Sequence, residues 1–141
     1  GTAGILNSLK NTKKDFFVTN CDTILDINYN ELYKYHKKNK HDFSIVVTKK
    51  KFKIPYGVCK LDSEGNFTKI DEKPQNEFLI SVGLYLINSK IFKQIPKNKY
   101  FDMNSLIELS LRHNFKVGIF SINNSSWKDV GKWDDFRKLK H

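Results

Sequence analysis

Short apolar runs of strand length alternate along this chain with amphipathic stretches of helix length, and few architectures accept that order. The run Phe78–Ile87 (Phe-Leu-Ile-Ser-Val-Gly-Leu-Tyr-Leu-Ile) carries the strongest strand signal. Asp15–Asn20, Phe43–Thr48 and Val117–Ile122 are aromatic and β-branched runs that read as further strands. Between them, Asn28 with Glu31 three residues on resembles a capping box and opens a helix to about Lys38, with Leu32 and Tyr35 facing inward. Asn88 caps a short helix towards Ile95. Met103–His113 holds one apolar stripe at Leu106, Ile107, Leu109 and Leu111. A terminal helix is expected over Lys132–Leu139. Tyr56–Leu61 and Phe67–Ile70 flank the turn-rich Asp62-Ser63-Glu64-Gly65-Asn66, a β-hairpin signature, and the lysine-rich Lys49–Lys53 reads as an exposed loop ending at Pro55. Strand, helix, strand, hairpin, strand, helix, strand, helix predicts an α/β layered domain with a mixed sheet, and 141 residues suit one such domain.

The formal charge of +10 raises the possibility of a basic nucleic-acid-binding module. Of the 25 basic residues, however, only Arg112 and Arg137 are arginine, the side chain suited to bidentate phosphate and guanine contacts. The charge therefore reads as a solvated, lysine-rich surface, and neither a nucleic-acid nor a membrane partner is expected. No apolar run reaches membrane-spanning length and no signal-peptide pattern opens the chain. Cys21 and Cys59 are the only cysteines, which points to reduced thiols and a cytoplasmic setting. The four histidines are scattered and give no zinc pattern. The start, Gly-Thr-Ala-Gly without a Met, suggests a piece of a longer protein.

Four stretches place polar or glycine residues at or beside strand ends, where ligands collect in open α/β sheets: Asp22, Tyr56-Gly57-Val58, Glu72-Lys73-Pro74 and Asp129-Val130-Gly131. Each has a plain alternative. Asp22 could form an Asx turn, Gly57 a bulge, Glu72-Lys73 a solvated charge pair, and Asp129 a cap or loop residue. Taken in order, with Gly1-Thr2-Ala3-Gly4, Val18-Thr19-Asn20-Cys21-Asp22-Thr23, Ile54-Pro55-Tyr56-Gly57-Val58, Val82-Gly83-Leu84-Tyr85 and Trp127-Lys128-Asp129-Val130-Gly131-Lys132-Trp133, they resemble the sugar-1-phosphate nucleotidyltransferases, or NDP-sugar pyrophosphorylases.

The resemblance covers essentially the whole chain. It implies a Rossmann-like, GT-A-like layered α/β domain with a mixed, mainly parallel sheet flanked by helices, plus a hairpin. It further implies Mg²⁺-dependent transfer of a nucleotidyl group from an NTP to a sugar 1-phosphate. Asp22 and Asp129 would be the magnesium carboxylates. Gly4 would let the backbone approach the nucleobase, Tyr56 and Gly57 would line the sugar pocket, and Glu72 would accept from sugar hydroxyls. Lys73 would hold the sugar phosphate and is the expected catalytic residue, and Gly83 would allow close packing of the sugar.

The family's glycine-rich signature loop and first strands should lie upstream of Gly1, so residues 1–141 read as a single partial domain, the C-terminal portion, truncated at the N-terminus. Cys21 stands where many members carry glycine. The chain alone is expected to be inactive and to self-associate through a sheet edge at Asp15–Asn20. The Ile-Pro-Tyr-Gly-Val and Trp-Lys-Asp-Val-Gly-Lys-Trp variants are similar to a bacterial subgroup, in which guanylyl or thymidylyl transfer to a glucose-, mannose- or glucosamine-type 1-phosphate is implied. Two other readings stand beside this one: a non-catalytic domain that binds nucleotide sugars and regulates a partner, and the basic nucleic-acid module.

Overall fold

The apolar run at Phe78–Ile87 becomes part of a 14-residue strand on which the rest of the sheet is assembled. The computed structural model describes residues 2–97 and 99–130. Its strands are β1 (Asp15–Thr19), β2 (Thr23–Leu25), β3 (Phe43–Lys53), β4 (Val58–Leu61), β5 (Phe67–Asp71), β6 (Gln75–Asn88), β7 (Val117–Ile122) and β8 (Trp127–Asp129). Two α-helices, α1 (Tyr29–Lys38) and α2 (Met103–Arg112), join them, with 3-10 helices at Gly4–Leu9, Ser89–Gln94 and Asn124–Ser126. The expected terminal helix Lys132–Leu139, Gly131, Trp133 and Gly1 lie outside the described residues.

The main sheet has the order β1-β6-β3-β7. β3 pairs parallel with β7, and β6 runs antiparallel to both β1 and β3, so three of the four strands share one direction. One face carries Val46, Val82, Leu84 and Leu86 against Leu32 of α1. The other carries Phe43, Tyr85 and Ile87 against Leu106 of α2, against Leu6, Ile91 and Phe92 of the 3-10 helices, and against Ala3, which caps the first of them. The sheet is thus covered on both faces, as the layered reading requires. Each fully buried large apolar side chain contributes roughly 1.5–3 kcal/mol at the upper estimate.

The α1 cap forms as its sequence dictates. The Asn28 side chain accepts from Asn30 N (3.0 Å) and Glu31 N (3.3 Å), and donates to Glu31 Oε1 (3.1 Å). On α2 the stripe is rotated from the expected one. Leu106 is buried, but Leu111 is 57% exposed and Ser110 takes the buried place, its hydroxyl donating to Leu106 O at 2.7 Å. Such a bond inside the helix removes the cost of burying the hydroxyl.

One expectation is overturned. Lys49–Lys53 is not a loop but the second half of β3, paired residue by residue with β6 from Lys49↔Leu79 to Lys53↔Gln75. Backbone ladder bonds do not depend on side-chain charge, and lysine stems lie along a pleated surface with their ammonium groups in water. This arm carries the β4–β5 hairpin at its far end. The hairpin turn is held by Asp62, whose Oδ1 accepts from Glu64 N and Asn66 N, both at 2.9 Å, with Gly65 at φ 89°.

A polar layer is buried between α1 and the sheet. His36 Nδ1 lies 2.8 Å from Ser44 Oγ, and His41 Nδ1 3.2 Å from the same oxygen. Burial pushes both imidazoles below their ordinary range. Burial alone would raise the Asp15 carboxyl, but hydrogen bonds from Lys37 and Asn88 bring it below the usual carboxylate range. β1 borders the main sheet on one side, as expected for Asp15–Asn20, and β7 on the other. Cys21 and Cys59 are free and exposed. No helix among the described residues is long and apolar enough to cross a membrane.

Candidate active site

Two groups of the expected residues are brought together, and they lie on different parts of the fold. The first forms where β1 ends. Asp22 sits in the turn between β1 and β2, and β2 pairs antiparallel with β8 through Thr23↔Asp129, Ile24↔Lys128 and Leu25↔Trp127. Val130 N donates to Asp22 O at 3.0 Å, so the ladder sets Asp22 one register step from Asp129 although more than a hundred residues separate them in sequence. In a regular pleat two residues one step apart face opposite ways. Asp22 lies in the turn, one residue before the first ladder pair.

This donor set fits a hard divalent cation. Mg²⁺ commonly takes one or two carboxylates and fills its remaining positions with water and substrate phosphates. Among the described residues no group of three or more His, Cys, Asp or Glu side chains is assembled that could hold a metal.

The second group is the base of the hairpin. Lys73 N donates to Tyr56 O at 3.2 Å and Ile54 N to Pro74 O at 3.0 Å, so the two strands stay bonded where they leave the arm. A Cβ at Gly57 would lie 3.1 Å from Glu72 Oε2 and 2.7 Å from Ile70 Cδ1. Glycine at 57 is what lets the Glu72 carboxylate lie against the opposite strand. Lys73 adopts a left-handed φ of 47°, and its ammonium is 3.8 Å from Glu72 Oε1, with both side chains more than half exposed. An exposed pair at that distance holds weakly, about 0–1 kcal/mol, and leaves both groups able to meet a ligand. Neighbouring Asp71 differs: Lys60 and Lys69 each hold it at 2.9 Å, and their hydrogen bonds bring its carboxyl below the usual range. Asp71 fastens the hairpin, and Glu72 stays open.

Gly83 has a structural duty that its motif does not reveal. It lies at φ 78° where β6 bulges against β3, and a Cβ there would fall 2.7 Å from Asn20 Nδ2 and 2.9 Å from Asn20 Cγ. Asn20 N also donates to Gly83 O at 2.9 Å. Gly83 thus seats the strand end that leads to Asp22. Gly4 falls in neither group. It opens the first 3-10 helix, where Ala3 N donates to Phe101 O at 3.1 Å, and the nearest atom to a Cβ at Gly4 would be Lys99 O at 4.0 Å. Asn20 is a residue the sequence reading passed over; its place inside the Val-Thr-Asn-Cys-Asp motif was the available signal.

The model of the family described as "Nucleotidyl transferase" matches residues 2–141. The chain belongs to the nucleotidyl transferase family. Among curated proteins it is 35% identical over 143 residues to the mannose-1-phosphate guanylyltransferase catalytic subunit beta of Drosophila pseudoobscura pseudoobscura, covering 96% of this chain and 38% of that protein. It is 30% identical over 135 residues to the bifunctional protein GlmU of Methanocaldococcus jannaschii, covering 90% of this chain and 31% of that one. The chain spans about two fifths or less of the length of these relatives. Two solved structures share the fold: HddC from Yersinia pseudotuberculosis (TM-score 0.63, 23% identity, 98% of this chain and 60% of that one) and a putative glucose-1-phosphate thymidylyltransferase from Bacillus anthracis (TM-score 0.66, 16% identity, 98% and 58%). The family and the α/β architecture inferred from the motif order both hold for this nucleotidyl transferase chain.

Proposed function

We propose that this chain is the C-terminal portion of the nucleotidyltransferase domain of a cytoplasmic sugar-1-phosphate nucleotidyltransferase, with guanylyl transfer to mannose 1-phosphate as the first choice. Supporting it are the family, the curated guanylyltransferase relatives and one observation above the rest: the β2–β8 ladder that sets Asp22 beside Asp129. A phosphate oxygen of the sugar 1-phosphate attacks the α-phosphorus of the nucleoside triphosphate, the bond to the bridging oxygen breaks, and pyrophosphate leaves. The attacking oxygen is already anionic at neutral pH, so the residues have no proton to remove. Their task is alignment and neutralisation of crowded negative charge.

In this reading Asp22 and Asp129 hold Mg²⁺, which when bound supplies charge neutralisation for the phosphates. Glu72 accepts from sugar hydroxyls, Lys73 holds the sugar phosphate as a point charge, and Tyr56 and Gly57 line the sugar pocket. Gly4 lies against the nucleobase, and Gly83, whose missing side chain makes room for Asn20, lies beside the sugar. The 141 residues alone are inactive. They associate in solution with a second copy through the β1 border, where among the described residues one side of the strand has no ladder partner in the main sheet.

The test is pyrophosphate release from GTP and mannose 1-phosphate by the longer protein that carries this chain. Asp22→Asn and Asp129→Asn should each lower it by more than the roughly 10–100-fold that loss of an outer-shell metal partner costs. Undiminished turnover in either variant would return that aspartate to a turn or loop role. Clear turnover by the 141 residues alone would refute their inactivity.

A further inference from the structure

We propose that Lys50 is a further anion-binding residue of this site and takes a phosphoryl oxygen of a bound substrate; the assignment to a substrate rests on the function proposed above. Lys50 lies in the arm of β3, two residues past Thr48, the last residue paired with β7, and three before Lys53, where the strand leads on to the hairpin base. Its Nζ lies 5.3 Å from the centroid of the Trp127 ring, two residues before Asp129, and 5.8 Å from that of Phe52. Phe52 packs on Phe78, its neighbour across the arm, with centroids 6.0 Å apart. Both rings remain about half exposed, at 45% and 52%.

The pleat separates this lysine from its neighbours. Successive side chains point to opposite faces, so Lys49, Lys51 and Lys53 share the other face of the arm. On that face a carboxylate is available: Lys49 Nζ lies 3.1 Å from Glu77 Oε1. On the face of Lys50 the described residues offer it rings and no ion pair. An ammonium over the exposed Phe52 ring and the half-buried Trp127 ring gains about 0.5–2 kcal/mol, against the roughly 1.5–3 kcal/mol of a hydrogen bond between charged groups. Lys50 is therefore held in position but not committed, and a phosphoryl oxygen outcompetes the rings. A second group at the same place is also unmatched. Trp127 Nε1 is the one buried side-chain polar atom without a hydrogen-bond partner among the described residues, and an indole N–H can only donate. Both groups are donors, and Trp127 belongs to the β2–β8 ladder itself.

The experiment compares Lys50→Gln with Lys51→Gln, which removes the same charge one residue away on the opposite face. The probe for binding is magnesium pyrophosphate, titrated against the 141-residue chain and followed by tryptophan fluorescence. Lys50→Gln should weaken it about 10–100-fold, the equivalent of one charge-assisted hydrogen bond, and Lys51→Gln should leave it within twofold. In the longer protein, the KM values for GTP and for mannose 1-phosphate then show which phosphate Lys50 meets, since the KM of that substrate alone should rise in Lys50→Gln and recover in Lys50→Arg. Equal effects of Lys50→Gln and Lys51→Gln on pyrophosphate binding, or no binding by the unaltered chain, would overturn the assignment even if turnover is normal. Lys50-dependent pyrophosphate binding in a protein without turnover would keep the assignment and remove the proposed reaction.

Discussion

Replacing Gly83 by alanine tests whether this glycine seats Asn20, and its size can be worked out from two separate terms. The backbone at φ 78° is a conformation that an L side chain adopts at a cost of about 1–2 kcal/mol. The new methyl would also lie 2.7 Å from Asn20 Nδ2 and 3.2 Å from Asn20 Cβ, an overlap of the kind that costs about 1–3 kcal/mol in a packed site. Asn20 is exposed and its amide can swing, which puts the second term at the low end, so Gly83→Ala should destabilise by about 2–3 kcal/mol. Asn20→Ala alone should stay within about 0.5 kcal/mol, as substitutions at exposed positions usually do. In the double variant the amide is gone, the overlap is largely relieved and only the backbone term remains. Urea unfolding of the four proteins at one pH gives the coupling energy, expected near 1 kcal/mol with the double variant more stable than the sum of the singles. Additivity within about 0.3–0.5 kcal/mol would refute the contact as the reason for glycine at 83.

The buried imidazoles make acid the destabilising direction. His36, packed among Asp15, Lys37, His41, Asp42 and Ser44, is pushed down by burial, so the unfolded chain binds a proton near pH 6.5 that the folded chain refuses. That stability is fully present above about pH 6.5 and declines as the pH falls towards the lower folded value. Asp15, depressed in its turn, loses its contribution only below the ordinary carboxylate range. The urea midpoint should therefore fall between pH 7 and pH 5, with a shallower slope in His36→Gln; an unchanged slope would exclude His36 as the source. On β7, a Cβ at Gly118 would enter the His41 ring, which is also packed edge-on against Tyr35 at 5.5 Å. Gly118→Ala should cost about 1–3 kcal/mol by the same melt, and a loss below 0.5 kcal/mol would mean that the ring moves freely aside.

What could be read from the sequence was whatever short-range chemistry decides. Asn28 and Glu31 are neighbours on one helical turn, so the cap was legible, as was the Asp62–Asn66 turn. The arm was not. Five residues with four lysines look like a solvated loop because a single strand does not show the β6 partner that supplies its ladder. Ser110 exchanged places with Leu111 because a hydroxyl that bonds its own helix can be buried as readily as a methyl group. The motif order placed Asp22 and Asp129 at strand ends, yet β2 and β8 are three residues each, too short for periodicity to reveal, and each needs the other to exist. Lys50 was hidden inside a charge run, since which lysine faces the rings depends on pleat and register, not on composition.

The β2–β8 ladder also bears on the order in which this molecule assembles. Leu25 and Trp127 close a loop of roughly a hundred residues, which contains α1, the arm, the hairpin and α2. Holding the ends of so long a loop together costs on the order of 4 kcal/mol in chain entropy, and three residue pairs cannot meet that from an unstructured chain. The main sheet must therefore stand first and carry the two ends towards each other. Asp22 and Asp129 are thus neighbours only in a chain that has folded correctly between them, and their adjacency is a readout of everything from α1 to α2.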